Sequence, residues 1–105
     1  MSISPRSDIR KALDCLDKLF QTKDRLDASF GSSDFYGEMV KGFEKAVENR
    51  ASALSETAQA LDSHCGDEEM IGFINRAMDI METASNAGIE TEGINTAIFA
   101  MLECF

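Results

Sequence analysis

The sequence reads as an all-α protein, an elongated antiparallel bundle of three to four helices with one long central helix. Three observations carry that reading. Apolar residues recur every three or four positions along most of the chain, Gly-containing segments interrupt them at three places, and no stretch alternates apolar with polar residues as a half-buried strand would. The 105 residues, 44% hydrophobic with a single Pro, match a globular composition and suffice for one helical domain spanning residues 1–105.

The first helix is expected over residues 8–29, behind a flexible segment 1–7. Ile9, Leu13, Leu16 and Phe20 recur at helical spacing, with Ala12, Leu19, Leu26 and Phe30 beside them. Ser7 suits the N-cap, Pro5 lies just outside it, and Gly31-Ser32-Ser33 supplies turn residues at the far end.

The second helix is expected over residues 34–65. Tyr36, Val40, Phe43, Val47, Ala51, Leu54, Ala58, Leu61 and Cys65 form one narrow stripe, and Gly66 reads as the stop. A helix of about 30 residues would be about 45 Å long, beyond the roughly 34 Å diameter of a compact chain of this size. The molecule is therefore elongated, or this helix is interrupted at Gly37 or Gly42.

The third helix, residues 67–87, starts at Asp67 as N-cap, with Glu68 and Glu69 at the positive end of the helix dipole. Its apolar arc comprises Met70, Ile71, Phe73, Ile74, Ala77, Met78, Ile80, Met81 and Ala84. Asn86-Ala87-Gly88 ends it, and Ile89 is placed for the apolar contact that follows a Gly cap.

The fourth helix, residues 92–105, carries an apolar arc of roughly 220°, wider than a surface helix needs, so neighbours must cover it on two sides. Together the third and fourth helices nearly match the second in length. They would form a third layer broken at Gly88.

The chain carries a net charge of −9, and it is unevenly placed. Residues 1–50 hold nine acids and nine bases, whereas residues 51–105 hold ten acids and one base, Arg76. That balance argues against direct binding to nucleic-acid phosphates, which takes clustered Lys and Arg. Met1 to Ser7 contains no apolar run of signal-peptide length, and no window approaches the roughly 18 apolar residues of a membrane span. Three widely spaced cysteines, Cys15, Cys65 and Cys104, fit neither a disulfide framework nor a zinc knuckle, so a reducing cytosol is the expected compartment.

Catalytic chemistry has little to stand on. His64, Cys65, Asp67 and Cys104 lack metal-ligand spacing, and His64, the only histidine, lies in no nucleophile motif. Adjacent Glu68 and Glu69 do not face each other on a helix. No glycine pattern cradles phosphate. The sequence thus assigns no catalytic, cofactor or metal residues, and the chain is expected not to be an enzyme.

The function expected instead is protein binding through helix faces, as an adaptor, chaperone or inhibitor acting as a homodimer. Phe99, Met101, Leu102 and Phe105 form the first candidate patch, and Phe35, Tyr36 and Met39, at the first interhelical turn, the second. A different class uses charge. The carboxylates Glu56, Asp62, Asp67, Glu68, Glu69, Asp79, Glu82, Glu90 and Glu92, if they converge, would imitate nucleic-acid phosphates and block a DNA- or RNA-binding protein. Phe35-Tyr36-Gly37 also resembles, in position, the Trp-x-Gly turn of the helical-hairpin substrates of type VII secretion, which implies a small secreted effector. Phe35 stands where that family has Trp, and the continuous second helix and export tail of the family are missing, so no functional residue carries over.

Overall fold

A computed structural model describes residues 5–61 and 66–105, and every regular element in them is a helix. α1 spans Pro5–Phe30, α2 Tyr36–Gln59, α3 Glu68–Asn86 and α4 Glu92–Leu102. Residues 1–4, part of the segment expected to be flexible, and 62–65, which include His64 and Cys65, lie outside the described residues.

Pro5 is the first residue of α1, and Ser7 lies within the helix where it was expected to cap it. The first turn tolerates Pro because its missing N–H would have no intrahelical partner. Asp67 does cap α3: its side chain, on extended backbone, accepts the Met70 N–H at 3.0 Å. At the other end of α3, Gly88 takes φ +73°, its N–H reaches the Ser85 carbonyl and the Ile89 N–H reaches that of Ala84. This is the Schellman arrangement, completed by burial of both Ile89 and Ala84.

Side-chain contacts give the topology. Phe20 and Phe43 meet edge to face at 5.5 Å, and further along Lys23 and Asp27 reach Tyr36, so α1 and α2 form an antiparallel hairpin. Arg6 pairs with Asp67, Arg10 with Glu69, and Arg76 with Asp14 and Asp17, so α3 ascends beside α1 in the same direction. α4 then folds back until the Phe105 ring lies against Gly66, just before the start of α3. Each helix runs opposite to the one before it. Laterally, α1 and α4 each pack against both α2 and α3, and α2 and α3 lie across the bundle diagonal.

Two expectations change. α3 and α4 make a second hairpin, where a single interrupted rod was expected, because the Gly88 cap reverses the chain. α2 ends at Gln59, six residues before Cys65, although Leu61 continues its apolar stripe. The Ala60 and Leu61 N–H groups bond back to the Thr57 and Ala58 carbonyls, closing the helix there, and α3 lies across the diagonal from α2. With interaxial spacings of about 8–10 Å that diagonal is about 13 Å, out of reach for the single residue a helix ending at Cys65 would leave.

The core draws on all four helices: Ile9, Leu13 and Leu16, Val47 and Leu54, Met70, and Ile94 and Met101 are completely buried. Among the described residues no polar or charged side chain is buried. The molecule measures 50 × 30 × 19 Å, because the α1–α2 hairpin projects past the shorter α3–α4 hairpin. In the projection Leu26 is only half buried and Phe30 is exposed.

α2 runs unbroken through Gly37 and Gly42. A Cβ at Gly42 would meet no atom within 4 Å, so Gly42→Ala is expected to raise stability by up to about 1 kcal/mol in denaturant titration. A loss of stability would show that the helix is irregular at that point.

Candidate docking surface

Electrostatics divides the acidic residues into those held within the fold and those facing water. Asp67 and Glu69 both receive Arg6, at 2.9 Å each, and Glu69 also receives Arg10, whose guanidinium stands 5.9 Å from the centre of the Phe73 ring. The Arg6 guanidinium, with the Met70 N–H, holds the Asp67 carboxyl below the usual carboxylate range. Arg76, the lone base of the acidic half, donates to Asp14 and Asp17 at 2.8 and 2.6 Å. This row of charges zips α1 to α3. At the α1–α2 turn, Lys23 and then Tyr36 lower the Asp27 carboxyl in the same manner.

α4 is seated against α2 at Gly93, where a Cβ would come within 3.0 Å of the Ala51 Cβ and 3.2 Å of the Ala51 backbone. With that side fixed, Ile94, Ala97, Ile98 and Met101 turn into the core. The wide arc is thus covered on two sides, by α2 and by α3. Met101, in the first candidate patch, is completely buried and contributes packing; Phe99, Leu102 and Phe105 remain exposed, Phe99 at 59%.

Placed at about 100° per residue, Leu102 lies on the flank of α4 away from Gly93, toward α3, and Phe99 points outward beside it. On α3, the residues meeting α1, Glu69 and Arg76, occupy one flank. Ile71 and Met78 occupy the other, toward α4, and both are exposed although they were expected within the apolar arc of the core. The arc of α3 is wider than its two neighbours can cover. The outer seam of the α3–α4 hairpin is therefore edged by Ile71 and Met78 on one helix and Phe99 and Leu102 on the other.

Beside this apolar edge, between α2 and the start of α4, lies a cleft of about 570 Å³. Glu44, Glu48 and Glu56 line it from α2, and Glu90 and Glu92 from the α3–α4 turn and first turn of α4, with Ala51, Gly93 and Thr96 among its other walls. No Lys or Arg lines it, and among the described residues none of these five carboxylates enters an ion pair. Phe99 follows Thr96 by one helical turn and Glu92 by two, so the apolar edge and the cleft share the outward face of α4.

The acidic positions singled out from sequence thus separate. Glu90 and Glu92 meet in the cleft with Glu56, Glu69 joins Asp67 in the α1–α3 seam, and Glu68, Asp79 and Glu82 are exposed on α3. Asp62 lies outside the described residues. Glu44 and Glu48 were missed because they belong to the electrically neutral half. Their spacing with Ser52 and Ser55 along one edge of the α2 stripe is the signal that marks them. In the second candidate patch Phe35 is exposed, while Tyr36 and Met39 are half-buried and the Tyr36 hydroxyl donates to Asp27. The two patches stand at opposite ends of the bundle.

Among the described residues no group of three or more His, Cys, Asp or Glu is placed to hold a metal ion, and no helix is long and apolar enough to cross a membrane. The chain matches no protein-family model, no curated protein and no solved structure. The functional reading rests on the surface described above.

Phe99 and Met101, two residues apart, are expected to respond oppositely to truncation. Met101→Ala should cost about 2–5 kcal/mol in denaturant unfolding, whereas Phe99→Ser should stay within about 0.5 kcal/mol. Equal losses would mean that Phe99 is covered within the chain.

Proposed function

We propose that this chain is a small, acidic, non-enzymatic module that binds another protein through its helix faces, as an adaptor, chaperone or inhibitor in a reducing cytosol. The observation that carries the reading is the exposed apolar edge of the α3–α4 hairpin, with Ile71 and Met78 on α3 and Phe99 and Leu102 on α4. A cluster of large apolar side chains left in water marks an interaction surface. Homodimerisation is the self-associating form of the same reading. It would use this narrow edge in place of the wide α4 stripe, most of which is buried within the chain.

A second reading draws on the cleft, whose five carboxylates offer a closely set anionic surface to a basic groove. Phosphate mimicry of that kind weakens steeply with ionic strength, and apolar docking does not.

Affinity capture with full-length wild type and with Phe99→Ser, checked for a native helical spectrum, tests the reading when combined with a mass measurement in solution. Specific partners, or dimers, that are retained in several hundred millimolar salt and lost with Phe99→Ser are the expected result. A monomer that captures the same proteins with and without Phe99 contradicts it.

A further inference from the structure

We propose that the outward face of α4 and the cleft beside it form one docking site for a basic amphipathic helix of another protein. Apolar residues of that helix cover Phe99 and Leu102 while its Lys or Arg side chains enter among Glu48, Glu56 and Glu92. The inference rests on the protein-binding reading and specifies the chemistry of the partner.

Contiguity and charge carry it together. Phe99 stands on the same face of α4 as Glu92 and Thr96, so a helix laid along α4 meets apolar surface and carboxylates at once. The cleft, at about 570 Å³, has room for the ends of long cationic side chains. No base lines it. Arg76, the only base in residues 51–105, is tied to Asp14 and Asp17 on the α1 flank of α3, away from α4. Lys41 and Lys45 stand one turn before Glu44 and Glu48 on α2, so the charge without a neighbouring base is that of Glu56, Glu90 and Glu92. The surface thus presents apolar contact beside net negative charge, and its complement is apolar beside positive.

The same charges disfavour the other occupants. Two copies joined through this face would bring their acidic clefts together, and an anionic lipid surface would be repelled. A polycation without an apolar face would leave Phe99 in water.

Fluorescence anisotropy with the full chain tests the proposal, using a labelled Leu/Lys amphipathic helical peptide and versions in which every Lys becomes Gln or Glu. The Lys peptide is expected to bind about tenfold or more tightly than the Gln peptide, and the Glu peptide not at all. That preference should shrink as salt rises from about 50 to about 300 mM. Phe99→Ser should weaken the Lys peptide about tenfold, and the Glu48→Gln/Glu92→Gln double variant should remove most of the Lys preference. Equal binding of the Lys and Gln peptides, lost with Phe99→Ser, overturns the basic partner and leaves protein binding standing. Binding of the Lys peptide that ignores Phe99→Ser overturns the joint site in favour of charge alone. Failure of every peptide, with a dimer in sedimentation that Phe99→Ser dissociates, assigns the face to a second copy. Failure of every peptide with a monomer overturns the protein-binding reading as well.

Discussion

The close approach of α4 to α2 at Gly93 is the constraint on which the arrangement depends. α4 has only 11 residues, yet it must seal the core against both α2 and α3. It can do so because Gly93 carries no Cβ and settles against Ala51, bringing the start of α4 onto the α2 backbone. Everything downstream on α4 follows from that rotation. Ile94, Ala97, Ile98 and Met101 turn inward, and Phe99 is left outside. The cleft walled by Glu48 and Glu92 lies beside that contact, with Ala51 and Gly93 in its lining.

The remaining elements make that seating possible. The Gly88 reversal places α4 antiparallel to α3, and the Arg6, Arg10 and Arg76 pairs hold α3 in register with α1. Individual exposed pairs contribute little, but five salt bridges aligned along one seam specify which neighbour α3 takes. The seam also redistributes charge. Bases from the neutral half meet Asp67 and Glu69, and Arg76 meets Asp14 and Asp17, which leaves Glu56, Glu90 and Glu92 of the cleft and the acids on the outer side of α3 without a neighbouring base.

Short-range chemistry was largely legible, although Ser7, read as the cap of α1, lies inside the helix. Asp67 as a cap, Gly88 with Ile89 as a reversal, and the apolar spacing of all four helices depend on residues within one turn of each other, and the sequence carries them openly. The end of α2 was not legible, because Leu61 keeps the helical period and the placement of α3 across the diagonal from α2 is set by distant contacts. The face of α4 shows the same limit. Met101 and Phe99 belong to one wide arc, and which of them turns inward depends on Gly93 meeting Ala51, 42 positions earlier. Ile71 and Met78 read as core for a similar reason: α3 has neighbours on two sides, and neither reaches them.

Thermal unfolding of Gly93→Val tests this dependence most directly. A branched side chain there puts its Cβ 3.0 Å from the Ala51 Cβ and 3.2 Å from the Ala51 backbone, tight enough that the two helices must move apart, so a loss of about 1–3 kcal/mol and a broader transition are expected, as α4 lifts from α2. A variant as stable as wild type, helped by the better helix propensity of Val over Gly, would contradict the account, since α4 would then owe its position to other contacts.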